Sequence, residues 1–295
     1  MLRGELPLLL FTLLVQMALG AVLLAAVLPF RLARRGAGAE SDLLVRRLLC
    51  WAVPALVLAM ALSLSHLGTP GGAYRAIFNL KTSWLSREIL FSGLFTLVAM
   101  LAAWAHWKGK SSRVLIWFSL LCGIVTVYSM ARLYQMTIKP AWMTFFTPVS
   151  FFTAALMLGV ATGALVLLGS LGRGQVSAET FGLLLGDLVA TGAVVLVVQL
   201  VSVPFYVGVL SRGPRAAQAA LHLLFGQYGT ALGGRLGAGV LGVGVLTCGW
   251  YLLTRKESKP VSVAGLVYLS VAGIVTAEVL ARVLFYAAGI SISVG

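Results

Sequence analysis

Apolar residues run through this chain in eight unbroken stretches, near 7–30, 48–66, 88–107, 114–133, 147–171, 181–203, 236–253 and 261–288. All are too long for buried strands and none alternates polar with apolar, so each reads as a helix. At about 1.5 Å per residue, such helices cross the ~30 Å hydrocarbon core of a bilayer. A membrane barrel needs alternating segments of about ten residues instead. Pro7, Pro148 and Pro260 fall near expected helix starts, where a missing N–H removes no bond. The pattern predicts an all-α integral membrane bundle of eight transmembrane helices, forming a single membrane domain over residues 1–295.

Composition agrees. The 295 residues are 60% hydrophobic and 10% charged, with a mean hydropathy of +1.01, too apolar for a soluble domain. The net charge of +14 would raise nucleic-acid binding in a soluble protein. Here the basic residues gather in short loops, where membrane lipid headgroups are the simpler partner and no nucleic acid is expected. If the first span runs outward to inward, loops 31–47, 108–113, 172–180 and 254–260 carry twelve Lys or Arg in 39 residues. The other connections and tails carry eight in roughly 80, a density about threefold lower, so both termini are expected on the outer side. The first run is not expected to be a cleavable signal, because it is longer than a signal core and Arg31, Arg34 and Arg35 follow it.

The richest stretch is Ser63 to Gly93, SLSHLGTPGGAYRAIFNLKTSWLSREILFSG, between the second and third spans. His66 closes one span and Glu88 opens the next, and ionisable groups at such depths are functional suspects. Each has a plainer reading: His66 bonded to backbone at a helix end, Glu88 favoured by the helix dipole. Arg75, Phe78, Asn79 and Trp84 between them read either as a clamp on a ligand or partner, or as interfacial anchoring for Trp84. Arg87 is expected to meet headgroups. Arg132 and Tyr134 end the fourth span on the same face. Glu278 and Arg282, spaced i,i+4 on the last span, share a face and are expected to pair with each other, in a structural or a ligand-orienting role. Asp187, toward the inner end of the sixth span, is expected to be a hydrogen-bonded structural group.

Three separated cysteines, Cys50, Cys122 and Cys248, form no C-x-x-C pair, so no iron–sulfur cluster is expected in this chain. His66 and His106 fall at opposite ends of neighbouring spans and His222 in a loop, which gives no facing pair for a haem. No metal site is expected. The glycine-rich run Gly226 to Gly244 lacks a phosphate-loop lysine and reads as close helix packing.

HLGTP, AIFNL, SWLSREI and FSG, then ARLYQM with PAW and TPVSFF (Ala131 to Phe152), and AEVLARVLFY (Ala277 to Tyr286) resemble the dimethyl sulfoxide reductase membrane-anchor family, in the family's order. Residues 170 to 265 match in hydropathy alone, apart from QYG at Gln227 to Gly229. The resemblance implies a membrane anchor that oxidises menaquinol near the outer face and passes electrons to an iron–sulfur subunit docked on the outer loops. A molybdopterin catalytic subunit would then reduce the terminal acceptor. It further implies the cytoplasmic membrane of a bacterium or archaeon. His66 occupies the position of a family histidine implicated in menaquinol binding and oxidation, and Glu88 that of a family glutamate. Arg75, Asn79, Arg132, Tyr134, Glu278 and Arg282 complete the expected quinol site, among the second, third, fourth and eighth spans. Two alternatives stay open: the anchors of polysulfide and tetrathionate reductases, and a secondary transporter, which calls for broken helices and a repeat.

Overall fold

The computed structural model describes residues 2–33, 35–66, 79–255 and 263–292, with side chains from residue 6 onward and to residue 64 in the second segment. Among these residues there are nine helices and no strand. They are α1 (Leu2–Ala33), α2 (Gly38–His66), α3 (Trp84–Trp107), α4 (Arg113–Gln135), α5 (Phe146–Leu171), α6 (Ala178–Ser211), α7 (Arg215–Phe225), α8 (Gly229–Thr254) and α9 (Ala264–Ala287). All except α7 are long and apolar enough to cross a membrane, which gives the eight expected spans.

Several boundaries differ from the hydropathy pattern, each for a physical reason. The second helix starts at Gly38, not near 48, because Gly36 takes a left-handed turn (φ 69°) and reverses the chain early. The third starts at Trp84, capped by Ser83, whose Oγ accepts from the Ser86 N–H at 3.2 Å. Glu88 therefore lies a turn inside its helix and is not the cap. The sixth helix continues through Pro204 to Ser211, well past 203. In lipid a helix keeps its remaining backbone bonds around a proline, since no water competes for them. The connection expected over 204–235 holds a short amphipathic helix, α7, which buries Ala217, Ala220 and Leu224, and α8 starts at Gly229, before 236.

The centre of the bundle is α5, most of whose residues are buried, packed on α1, α6 and α9. Close approach rests on glycine. Gly20 of α1 faces Gly159 of α5, and a Cβ at Gly20 would fall 2.2 Å from the Ala155 carbonyl oxygen and 2.5 Å from the Gly159 Cα. Gly242 of α8 and Gly273 of α9 meet in the same way. Without water to drive association, such small-residue contacts supply the dispersion that holds membrane helices together.

Because consecutive spans alternate in direction, the bundle has two ends. One gathers the ends of α2, α4, α6 and α9, the starts of α3, α5 and α8, the 136–145 connection and α7. This is the motif end. The opposite, basic end holds the turns around 35–37, 108–112 and 172–177. Gly20→Val is expected to force α1 from α5 and destabilise the protein by about 1–3 kcal/mol, the usual cost of overpacking. Gly244→Ala, with nothing within 4 Å of the added carbon, should leave the melting temperature in detergent unchanged. Equal melting of the two variants would refute this packing.

Candidate functional site

At the motif end, α2 closes at His66, whose ring lies outside the described side chains, as do Arg75 and Phe78. Asn79 is exposed, and its carbonyl accepts from the Thr82 and Ser83 N–H groups to close the turn into α3. Arg87 folds back on the turn before its helix. Its Nε donates to the Leu80 carbonyl and its Nη2 to the Lys81 carbonyl, both at 2.8 Å, and its guanidinium lies 4.2 Å from the Trp84 ring. Arg132 also lies over Trp84, at 5.4 Å, and donates to Gln135 Oε1 at 3.0 Å. Asn79 and Arg132 thus stay at the rim.

Glu88 is buried, and its Oε2 has no hydrogen-bond partner among the described residues. Tyr134 of α4 and Tyr286 of α9 lie within range of its charge. Their hydroxyls share a 2.7 Å hydrogen bond, in a shell of Trp142, Phe151 and Phe285. Trp142 in turn donates its Nε1–H to the Phe285 carbonyl at 2.7 Å, pinning the 136–145 connection against α9. Tyr134 stands in the last turn of α4, where the sequence puts it, and its bond to Tyr286 is new.

Glu278 and Arg282 share a stripe of α9, and their charges interact, yet no ion pair joins them among the described residues. Glu278 Oε1 accepts from Gln199 Nε2 of α6 at 2.9 Å, and Arg282 Nη2 donates to Gln16 Oε1 of α1 at 2.8 Å. The expected intrahelical pair gives way because facing helices supply neutral amides better placed for each charge. The Arg282 guanidinium also lies 4.0 Å from the Phe151 ring. Both residues are over nine-tenths buried.

A cavity of about 120 Å³ opens beside this pair, between α5, α6, α8 and α9, with α7 at its edge. Gln199, Tyr206, Arg235, Glu278, Arg282 and Phe285 are among its walls. Glu88, Tyr134, Asn79 and Arg132 do not line it. Sequence reading assigned Arg235 to an outer connection. In the structure it stands inside α8, within electrostatic range of the Glu278 carboxyl and the Tyr206 hydroxyl. The usable signal was a lone arginine interrupting the run GTALGGRLGAG.

With this geometry in place, comparison with known proteins is decisive. The family model of the DMSO reductase anchor subunit (DmsC) matches residues 2–288. The chain belongs to that family. The YnfH subunit of an anaerobic dimethyl sulfoxide reductase of Escherichia coli K12 is 28% identical over 99% of this sequence and 96% of its own length. The C subunit of the anaerobic dimethyl sulfoxide reductase of Haemophilus influenzae is 28% identical over 56% of this sequence and 59% of its own. The C subunit of the E. coli K12 enzyme is 30% identical over 36% and 38%. The protein is accordingly a multi-pass membrane anchor of the DMSO reductase type.

In this anchor the basic end is tied together by charge. Arg31 of α1 meets Asp187 of α6 through two bonds of 2.6 and 2.9 Å, and Arg35 meets Glu179 at 2.6 Å. Glu40 accepts the Ser177 N–H at 3.1 Å, while Arg47 donates to Ser170 and Gln175. Asp187 is thus hydrogen-bonded, through an ionic partner. His106 bonds to the Ala102 carbonyl and Ser111 at this end, whereas His222 is exposed on α7 at the other. Arg31→Asp or Asp187→Arg alone should lower thermal stability in detergent, because each juxtaposes like charges. The exchanged pair should recover most of the loss. No recovery in the double variant would show that the clamp does not join α1 to α6.

Proposed function

We propose that this protein oxidises menaquinol at the motif end of the bundle and passes the electrons to an iron–sulfur subunit of a molybdopterin-dependent complex. The observation that carries the reading is the concentration of buried ionisable groups at one end of an otherwise apolar bundle: Glu88, Glu278 and Arg282, with the Tyr134–Tyr286 pair between them. Charges inside a membrane protein are costly unless they serve a pathway or a site. Family membership supports the assembly with cluster-bearing and catalytic subunits.

One quinol loses two electrons and two protons and leaves as the quinone. The electrons pass singly to the clusters of the partner subunit, and the protons go to side chains and then to water. His66 and Glu88 are the proton acceptors, Glu278 and Arg282 orient the reductant, and Arg75, Asn79 and Arg132 belong to the rim. An imidazole suits the first role because its proton affinity lies near neutrality. With the basic loops inside, the motif end faces outward in the cytoplasmic membrane of a bacterium or archaeon, and both termini lie outside. The partner would dock there, over α7 and the 136–145 connection, whose Ile138, Met143 and Phe145 are exposed apolar residues. The terminal acceptor meets the catalytic subunit, not this chain.

Asp187 favours the DMSO reductase reading over the polysulfide type with an inner proton path, since Arg31 engages both its oxygens. His66→Ala and Glu88→Gln, introduced separately into the assembled complex, should each lower menaquinol-dependent turnover at least about a hundredfold, the scale of a general base. Reduction driven by an artificial one-electron donor, which bypasses the anchor, should persist. Menaquinol turnover at the unaltered rate in both variants would reject the assignment.

A further inference from the structure

Another cavity, of about 160 Å³, opens at the basic end of the bundle, where α1 and α2 meet the turn from α3 into α4. Its polar walls are Ser41 and Asp42 of α2, His106 of α3, Ser111 of the turn and Arg113 of α4. Ser41 is 3% exposed, and its Oγ is buried with no hydrogen-bond partner among the described residues. A hydroxyl stripped of water in a cavity wall calls for a guest that can bond to it. Asp42 and Arg113 are exposed, opposite in charge and walls of the same cavity. No ion pair joins them among the described residues, where the pairs are Arg31–Asp187 and Arg35–Glu179. Arg113 rests instead 5.7 Å from the Phe30 ring.

The cleft therefore has a positive and a negative wall held apart, a field that favours a guest carrying both charges. The start of α4 strengthens the positive wall. Its cap, Ser112, accepts the Leu115 N–H at 3.4 Å, and the N–H groups ahead of Leu115 have no acceptor within the helix. His106 bonds through Nδ1 to the Ala102 carbonyl at 2.9 Å and through Nε2 to Ser111 Oγ at 3.3 Å, which fixes the ring and the turn beside it. Phe30 and Trp117, next to Arg113, are exposed and meet edge-on with 6.2 Å between ring centres. Leu121, one turn further along α4, is exposed as well. An apolar strip thus leads from the charged cleft toward the middle of the bilayer, which is the form of a lipid: a polar head and a tail. The volume holds roughly a dozen water-sized positions, enough for a phosphate joined to an amine by a short arm.

We propose that this cavity binds the headgroup of a phosphatidylethanolamine lipid, with its phosphate on Arg113, Ser41 Oγ and the start of α4 and its ammonium on Asp42. Basic pockets between membrane helices hold lipid headgroups elsewhere, and the acid in this one makes it selective. A primary ammonium donates hydrogen bonds to the Asp42 carboxylate, which a quaternary choline cannot do. A headgroup without an amine, such as phosphatidylglycerol, leaves Asp42 facing a phosphate of like charge. The bound lipid joins α1, α2 and α4 at the end opposite the motif end.

The test uses the full chain, purified in detergent with the subunits that accompany it and stripped of lipid. Equal amounts of phosphatidylethanolamine, phosphatidylcholine and phosphatidylglycerol are added, and the lipid retained is read by native mass spectrometry. Phosphatidylethanolamine should be retained about tenfold above either competitor, the scale of one charge-assisted hydrogen bond. Asp42→Asn should abolish that preference, and Arg113→Gln should lower phosphatidylethanolamine retention about tenfold. Ser41→Ala should lower it about fivefold, the scale of one neutral hydrogen bond. Asp42 and Arg113 are exposed, so their variants should melt like the unaltered protein when free of lipid. Lys110→Gln removes a positive charge at the same end but outside the cavity, and it should leave retention unchanged. Equal retention of the three lipids, or an Asp42→Asn variant that keeps the preference, would overturn the proposal. Stabilisation by inorganic phosphate or free phosphoethanolamine as large as that given by the lipid would also overturn it, by making this a site for a soluble ligand.

Discussion

A charge placed inside a bilayer has no water to turn to, and the arrangement of this bundle follows from that constraint. Glu278 and Arg282 lie one turn apart on α9, yet each shares a hydrogen bond with an amide from a different helix, Gln199 of α6 and Gln16 of α1. Neutral donors and acceptors hold a charge in place without cancelling it. A direct Glu–Arg pair would be quiet and structural. Glu278 and Arg282 instead sit at the wall of a cavity that Gln199 and Arg235 also line.

Helix packing sets this chemistry up. The Gly20–Gly159 contact brings α1 against α5, and Gln16 lies one turn along α1 from it, which aims that amide at Arg282. On the other side, the Gly242–Gly273 contact fixes α8 against α9, with Arg235 two turns away and within range of the Glu278 charge. Glycines that look like filler in the sequence thus control the register of the ionisable residues. The two ends use charge differently. At the basic end, Arg31–Asp187 and Arg35–Glu179 join α1 and the turn after it to the first half of α6 as ion pairs. At the motif end, acids and bases are kept apart by amides, aromatic rings and a cavity.

The tyrosine pair ties the two halves of that end together. Tyr134 closes α4 and Tyr286 closes α9, and their shared hydrogen bond sits within range of Glu88 on one side and Arg282 on the other. Two hydroxyls in contact form a short polar bridge through an aromatic shell that excludes water. The surrounding rings join the ends of α4 and α9 to the 136–145 connection.

Hydropathy alone determined the fold class and the number of spans, because a bilayer of fixed thickness demands apolar runs of fixed length and a helix satisfies its own backbone. The motifs around His66, Glu88, Tyr134 and Glu278 were legible for a related reason: ionisable residues stand out against an apolar background. Helix ends were less legible, as Gly38 and Pro204 show, because caps and turns depend on local backbone conformation that hydropathy does not encode. Only the tertiary structure decided the partners. Arg235 looked like a loop residue until α8 extended past it, and Gln16 and Gln199 carry no charge to announce them. Their roles come from which helix faces which, a long-range property set by glycine contacts between separate spans and by no pattern within a single one.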